Sequence, residues 1–412
     1  MNQLKKVVPS IVNLLLNYSE RLIEGVLIAL IWANTDYPSL YRFLYGSPFG
    51  EQSLFHFHFL INDIFMVFFF GMATQEITQA CLPGGALNPI KKAINPIFST
   101  LGGIIGPVCV YFLFVHLTGN DSLMRGWAIP TATDIALAWL VARFAFGKAH
   151  PAISFLLLLA IADDGIGLAI IAIFYPDPGH PVLSVFLLLV LLGMAISYLF
   201  RKRQVASFWP YILIGGTFSW FGLYLAHLHP ALALVPIIPF LPNVVDKKRL
   251  SDETTVVFKS TGSVVTALNG GGIPTVGGPA FRDFFKKPVD IGLFGFGLAN
   301  AGVPFSSTGS ATWAVLLSLV IGKTVGITLF STVASTLGFP LPTGMRKKDL
   351  MVAAMTGAIG MTVALFIAGV AFVDIPTQES AKMGALLSSG MVIPVLIAAK
   401  LLKIRKTKPA EE

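Results

Sequence analysis

The stretch LAIADDGIGLAI, residues 159–170, places two adjacent carboxylates, Asp163 and Asp164, in a run that otherwise holds only aliphatic residues and glycine. An ionised carboxylate at the centre of a bilayer costs at least ~2.5 kcal/mol on insertion scales. Neighbouring residues of a helix point roughly 100° apart, so the two acids can face different partners. Such a pair indicates a functional site if the surrounding helix spans a membrane.

The composition of the 412-residue chain is that of a polytopic membrane protein. Hydrophobic residues make up 55% of the sequence and charged residues only 12%. Apolar stretches of about 20 residues, each long enough to cross roughly 30 Å of hydrocarbon, recur almost to the end of the chain. The first stretch lacks a small-residue cleavage site and is expected to be retained. We therefore expect an all-α protein with a single integral membrane domain over residues 1–412.

Hydrophobic patterning predicts about 12 transmembrane helices. The expected spans are residues 10–34, 57–79, 97–117, 127–147, 151–175, 181–200, 208–227, 229–242, 288–305, 312–336, 350–373 and 383–402. One extended polar segment, residues 243–287, separates the eighth span from the ninth and is predicted to be a flexible cytoplasmic loop.

The basic residues predict how the chain is oriented. The loops that share a side with the N-terminus hold Lys5/Lys6, Lys91/Lys92, Lys148, Arg201/Lys202/Arg203, Lys247/Lys248/Arg249, Arg346/Lys347/Lys348 and the tail from Lys403 to Lys408. The opposite loops hold little more than Arg42, Arg125 and Lys382. This asymmetry follows the positive-inside rule and places both termini in the cytoplasm. Anionic lipid beside these loops accounts for the net charge of +8 without a nucleic-acid partner.

Two spans contain residues that interrupt a helix. In GWAIPTATDIALAW, Pro130 removes a helical donor just ahead of Thr133 and Asp134. In GAIGMTVALF, Gly357 and Gly360 weaken the helix before a threonine. Irregular backbone at membrane depth is tolerated where it is buried in protein or lines an aqueous cavity. Two such breaks suggest crossed half-helices around a site near the middle of the membrane.

A lysine lies among these acids at membrane depth. Lys323, in LVIGKTVGITLF, is about eleven residues into the tenth span and needs an acidic partner or must lose its proton. Structural roles stay open for three of these residues. Lys323 could form an ion pair that only joins helices, Asp134 could cap a half-helix, and Thr133 could bond to the preceding turn.

The membrane acids suggest a chemistry. Two carboxylates that lie close together in a low dielectric resist simultaneous ionisation, so the site can hold protons or a monovalent cation but not both. Oxygen ligands from Asp163, Asp164 and Thr133 suit Na⁺ or Li⁺. Such competition is sufficient for cation/proton exchange. The sequence holds no G-x-x-x-x-G-K-[ST] motif, so we expect ion gradients rather than ATP to drive the cycle, without a cofactor.

At these residues the sequence resembles the NhaA family of bacterial Na⁺/H⁺ antiporters. The matching stretches, in order, are GWAIPTATDIALA, LLLLAIADDGIGLAIIAIFY, GLANAGVPF, VIGKTVGITLF and GAIGMTVALFIAGVAF, and with the span count they cover nearly the whole chain. The resemblance implies an NhaA-type fold with inverted repeats and two discontinuous crossing helices, an architecture already known for that family.

The resemblance also implies roles for particular residues. Asp163 and Asp164 would bind the ion and the protons, Thr133 and Asp134 would lie at the crossing, and Lys323 would be the cationic partner of Asp163. It further implies electrogenic exchange in a bacterial inner membrane, with more than one proton per Na⁺, activation at alkaline pH and a possible homodimer.

The sequence departs from the family pattern in several places. After the second span, where the family resembles G-L-E-V-K-R-E-L, residues 71–78 read GMATQEIT, so most of a charged cluster linked to pH activation is absent. Gly165, Ile166 and Gly167 replace Leu-Gly-Ala, and Ala364 replaces a serine. The first external loop, residues 34–60, is shorter than the one that forms a dimerising hairpin in the family. The pH response and dimerisation therefore stay open.

Three other functions are compatible with parts of the pattern. A non-transporting ion or pH sensor of the same fold would explain the lost charge cluster, although the intact Asp163, Asp164 and Lys323 argue against it. An intramembrane aspartyl protease would need a G-x-G-D sequence and one aspartate from each of two spans. The sequence has no such motif, and Asp163 and Asp164 are adjacent in one span. A sodium-coupled organic solute symporter would need a solute-recognition cluster, which the sequence does not show.

Overall fold

The computed structural model describes residues 20–47, 55–82, 87, 90–147, 150–176, 179–242 and 277–406. The longer helices within them are α1 (Glu20–Thr35), α2 (Tyr37–Tyr45), α3 (Phe57–Cys81), α4 (Ile90–Thr118), α5 (Asp121–Thr131), α6 (Ile135–Phe146), α7 (Pro151–Phe174), α8 (Ser184–Lys202), α9 (Tyr211–Leu225), α10 (Gly278–Asn300), α11 (Ser310–Thr336), α12 (Lys347–Gly357), α13 (Thr362–Ala371) and α14 (Ile375–Leu401). No strand occurs in these residues, which confirms the all-α class.

Six of these helices are long and apolar enough to cross a membrane by themselves, namely α3, α4, α7, α8, α11 and α14. Two bent pairs, α5 with α6 and α12 with α13, raise the number to eight if each pair is one span. The first, seventh and ninth predicted spans correspond to α1, α9 and α10, although residues 10–19 of the first lie outside the described residues. The chain is a multi-pass integral membrane protein.

The predicted eighth span, residues 229–242, is wrong as a helix. Only two single 3₁₀ turns form there, Pro230–Leu232 and Ile238–Phe240. Prolines at positions 230, 236, 239 and 242 remove the backbone donors that a continuous helix would need.

The polar loop that we predicted over residues 243–287 is shorter at its C-terminal end. Residues 278–287 form the first turns of α10, and residues 243–276 lie outside the described part of the chain. The basic residues 5–6, 148, 247–249 and 408 lie outside it as well.

The chain forms two compact units. The first comprises residues up to 58, residues 90–167 and residues from 293 onward, and the second comprises residues 59–89 and 168–292. The single integral domain over residues 1–412 stays a prediction. All predicted site residues lie in the first unit.

Glycines bring α4 and α11 together in the first unit. A Cβ atom added to Gly106 would lie 2.2 Å from the carbonyl oxygen of Gly322, and one added to Gly102 would lie 2.2 Å from that of Gly326. Small residues four apart on each helix therefore let the two backbones touch, as in many packed membrane helices. This close packing buries Lys323, which lies between the two α11 glycines, with no exposed surface.

The second unit contains α8, α9 and most of α3. Both α3 and α9 include a π-helical turn, Leu60–Phe65 and Tyr211–Gly216, and the indole N–H of Trp220 on α9 donates to the backbone oxygen of Asp63 at 3.1 Å. The start of α10 belongs to this unit as well, and its Phe285 packs against Phe208 in an aromatic cluster. None of the predicted site residues belongs to it.

Candidate functional site

The first helix break lies between α5 and α6, which meet at 56°. Helix α5 is 3₁₀-helical and ends at Thr131, one residue after Pro130, and residues 132–134 are not helical. Asp134 then caps α6, since its Oδ1 atom accepts a hydrogen bond from the backbone N–H of Leu137 at 3.0 Å. This is the usual way in which an aspartate satisfies a free donor at a helix start.

The second break, residues 358–361, lies between α12 and α13, which meet at 47°. It crosses the first break at short range. The backbone N–H of Asp134 donates to the carbonyl oxygen of Ile359 at 2.8 Å. A Cβ atom on Gly360 would lie only 2.6 Å from the carbonyl oxygen of Ala132, so glycine is needed for this close approach.

Asp134 serves both half-helices that start at the crossing. Besides capping α6, its Oδ2 atom accepts a hydrogen bond from Thr362 Oγ1 at 2.5 Å and lies 3.4 Å from the backbone N–H of Thr362, the first residue of α13. The carboxylate is 2% exposed. A negative charge is favourable beside the positive ends of two helix dipoles, which explains how this aspartate is accommodated.

Asp163 and Lys323 form a buried ion pair beside the crossing. Lys323 Nζ lies 2.6 Å from Asp163 Oδ2, and neither side chain is exposed. The ammonium group also donates to the carbonyl oxygen of Thr131, the last residue of α5. A cation is favourable at the C-terminal end of a helix, so Lys323 neutralises both a carboxylate and a helix end. It also interacts electrostatically with Asp164.

A π-helical turn in α11 presents this lysine. Residues Ser318–Lys323 form the turn, and Lys323 is its last residue. Single π turns inside α-helices are rare and occur frequently at functional sites, because the extra residue changes the direction of the side chains that follow.

Thr133 connects the crossing to the ion pair. Its hydroxyl donates to Asp163 Oδ2 at 2.6 Å and lies 3.1 Å from the carbonyl oxygen of Gly357, the last residue of α12. Of the two roles that the sequence left open for this threonine, a bond to the preceding turn is not the one observed. Asp163 Oδ2 therefore accepts hydrogen bonds from a hydroxyl group of the first break and from an ammonium group of α11.

The other oxygen of Asp163 is buried and accepts no hydrogen bond from any residue that the structure describes. A buried carboxylate oxygen without a donor is unusual in a folded protein and needs an explanation. Asp164, the next residue, is half-buried. Two carboxylates and a hydroxyl are a donor set for a small hard cation, and the same oxygens can take protons instead.

The structure thus brings together Thr133, Asp134, Asp163 and Lys323, with Gly357 just before the second break, Gly360 within it and Pro130 near the end of α5. The sequence did not identify Ser388 on α14, which bonds to the second break. Its only signal was a small polar residue in an apolar span. Within the described residues, no group of three or more His, Cys, Asp and Glu side chains could hold a resident metal ion.

Comparison with known proteins shows the family of this chain. Residues 18–402 match the protein family described as Na⁺/H⁺ antiporter 1. The Na⁺/H⁺ antiporter NhaA of Geobacter sulfurreducens is 53% identical over 395 residues, covering 96% of this chain and 98% of the relative. That of Desulfitobacterium hafniense is 51% identical over 400 residues, covering 97% and 98%, and that of a Jannaschia species is 41% identical over 431 residues, covering 96% and 98%. The chain therefore belongs to the Na⁺/H⁺ antiporter 1 family.

Proposed function

We propose that this protein is a secondary transporter that exchanges Na⁺ or Li⁺ for protons across a membrane. The observation that carries the proposal is the environment of Asp163. One of its oxygens is held by Lys323 and Thr133. The other is buried, next to Asp164 at the crossing of two broken helices, and no donor in the described part of the chain reaches it.

Exchange follows from competition at these oxygens. A cation binds to ionised carboxylates, whereas protonation removes the charge that holds it. The ion pair adds a second competition, because a cation at Asp163 weakens the attraction that holds the Lys323 ammonium group at 2.6 Å. A site that loads Na⁺ on one side of the membrane and protons on the other then moves the two ions in opposite directions.

The finer properties rest on the family and on charge. More than one titratable group faces the site, which supports more than one proton per Na⁺ and hence electrogenic exchange. Ion gradients would drive the cycle, and we propose no cofactor and no enzymatic chemistry. The positive-inside pattern supports cytoplasmic termini, and the family supports a bacterial inner membrane location and a role in pH and sodium homeostasis.

The test uses everted membrane vesicles from cells that lack their own sodium/proton antiporters. Addition of Na⁺ or Li⁺ should dissipate the pH gradient that respiration generates, at pH values from 6.5 to 9. Asp164→Asn should abolish the response. Asp121→Asn, at an exposed aspartate at the start of α5, makes the same chemical change away from the site and should keep it.

The outcomes separate the candidate functions. A well-expressed wild-type protein without a response to Na⁺ or Li⁺ would contradict exchange and favour the sensor. A response that persists undiminished in Asp164→Asn would contradict the proposed site. A response that is flat with pH would assign a regulatory role to the charged cluster missing from residues 71–78.

A further inference from the structure

One fully buried hydroxyl contacts the crossing from α14, at the point where this helix tightens into a single 3₁₀ turn, Ser389–Met391. Ser388 lies on α14 and has no exposed surface. We propose that Ser388 is a positioning residue for the ion site: its hydroxyl holds the unwound segment of residues 358–361 and thereby sets where Thr133 meets Asp163. The proposal rests on the proposed exchange function and adds a residue to it.

The contacts of Ser388 are made with the second break. Its Oγ atom accepts a hydrogen bond from the backbone N–H of Gly360 at 3.2 Å. The same atom lies 3.0 Å from the carbonyl oxygen of Gly360 and 2.6 Å from that of Ala385. A hydroxyl has one proton and two lone pairs, so it accepts from Gly360 and donates to one of the two carbonyls.

Gly360 needs this partner because it is in a broken helix. A regular helix would bond the N–H of Gly360 to a carbonyl four residues earlier, whereas here the chain is not helical at residues 359–361. An unpaired N–H at membrane depth costs free energy, since no solvent reaches it. The serine therefore replaces a helical hydrogen bond that the break removes.

A continuous series of short contacts leads from Ser388 to the ion pair. Ile359, next to Gly360, accepts the backbone N–H of Asp134 at 2.8 Å. Gly357, at the other end of the break, lies 3.1 Å through its carbonyl oxygen from the hydroxyl of Thr133. That hydroxyl donates to Asp163 Oδ2 at 2.6 Å. Release of Gly360 would let the segment shift, and Thr133 would move relative to Asp163.

The next residue provides a matched control. Among the described residues, Ser389 Oγ donates only within its own helix, to the carbonyl oxygen of Leu386 at 2.6 Å. This is the ordinary local bond of a helical serine, with no link to either break. The two serines are neighbours on one helix, so removal of each hydroxyl separates contact with the break from a general effect on α14.

The experiment measures Na⁺ dependence in everted vesicles with the full-length protein. We expect Ser388→Ala to raise the apparent KM for Na⁺ about fivefold, which corresponds to about 1 kcal/mol, the scale of one buried hydrogen bond. The maximal rate per molecule should stay near that of the wild type, because Asp163, Asp164 and Lys323 are unchanged. Ser389→Ala should leave both values unchanged.

A second variant and a second readout keep the test independent of expression. Ser388→Cys keeps a small side chain with a weak donor and acceptor, so its KM should lie between those of the wild type and Ser388→Ala. The second readout is the Tm of the purified proteins in NaCl and in choline chloride. The increase in Tm from choline chloride to NaCl should be smaller for Ser388→Ala than for the wild type. An unchanged KM in Ser388→Ala, or an equal rise in Ser389→Ala, would overturn the proposal. A wild type that shows no Na⁺ response would instead overturn the exchange function.

Discussion

The two helix breaks that cross in the first unit are built in opposite ways. The first, residues 132–134, brings its own polar side chains, Thr133 and Asp134, just after Pro130. The second, residues 358–361, reads AIGM and contains no polar side chain. Both expose backbone groups that a helix would have paired, so only the first can satisfy them from its own sequence.

The second break is held by residues from other segments. Thr133 lies within hydrogen-bond distance of its Gly357 oxygen, the backbone of Asp134 bonds to Ile359, and Ser388 bonds to Gly360. Asp134 also receives the hydroxyl of Thr362, where α13 starts. The first break thus provides polar groups that bond to the second break and to the start of α13. The ion pair lies beside the first break.

Removal of the carboxylate of the first break should have the largest effect on this arrangement. We expect Asp134→Ala to lower the free energy of unfolding by about 3 kcal/mol, because a helix cap is worth ~1 kcal/mol and a hydrogen bond to a charged group ~2 kcal/mol. The Leu137 N–H and the Thr362 hydroxyl would both lose their acceptor. Thermal unfolding of the purified protein in detergent measures the effect.

The matched variant for this prediction is Asp134→Asn. An asparagine oxygen still accepts one of the two hydrogen bonds but lacks the negative charge, so its Tm should fall between those of Asp134→Ala and the wild type. If Asp134→Ala unfolds at the wild-type temperature, the first break does not support the second.

A change in the second break should have a smaller effect, through crowding instead of lost hydrogen bonds. We expect Gly360→Ala to destabilise the protein by roughly 1 to 3 kcal/mol, since the new Cβ atom would lie 2.6 Å from the oxygen of Ala132 and 3.0 Å from a methyl carbon of Leu319. Gly369→Ala, within α13, is the control because a Cβ atom there meets nothing within 4 Å. It should be neutral or stabilising by up to ~1 kcal/mol. Equal Tm changes for the two variants would show that the crossing is not tightly packed at Gly360.

Sequence reasoning identified the first break because its signals are local. A proline, a threonine and an aspartate within five residues of an apolar span conflict with helix formation and with lipid, and each conflict is visible without the fold. The same reasoning marked Asp163, Asp164 and Lys323, since a charge in an apolar run is costly wherever its partner lies. The pairing of Lys323 with Asp163 in particular came from the family resemblance.

The residue of α14 that bonds to the second break was harder to predict. Ser388 looks like any helical serine, because most such residues bond to their own preceding turn, and only the fold brings it to Gly360. The eighth predicted span failed for a different reason. Its apolar composition suited a membrane helix, but four prolines in fourteen residues outweigh hydrophobicity in deciding backbone conformation.

Helices α6 and α12 also approach each other at the ends that lie away from the crossing, where His150 is buried. Protonation of this histidine should have a smaller effect on stability, which a pH series can measure. His150 lies between α6 and α7 and is 5% exposed. Its Nδ1 atom accepts the backbone N–H of Ala152 at 3.2 Å. The titratable groups that face it are Asp349, in the first turn of α12, and Arg346 just before that helix.

Burial lowers the pKa of His150 below its ordinary value of 6.5, against the opposing effect of Asp349 and together with the lowering effect of Arg346. The folded protein therefore disfavours the protonated ring, and the stability gained from keeping it neutral is fully present above pH 6.5. It is lost as the pH falls from 6.5 through the lower pKa of the folded state.

The test compares the Tm of the wild type and His150→Asn at several pH values from 7.5 to 5. Asparagine keeps an acceptor for the Ala152 N–H but does not titrate, so the Tm advantage of the wild type should shrink as the pH falls below 6.5. His180→Asn, at an exposed histidine, should keep the wild-type profile. Parallel profiles for the wild type and His150→Asn would mean that protonation of His150 costs nothing in the folded state. The ends of α6 and α12 would then accommodate a protonated His150 ring, although the burial of this ring indicates that they disfavour the charge.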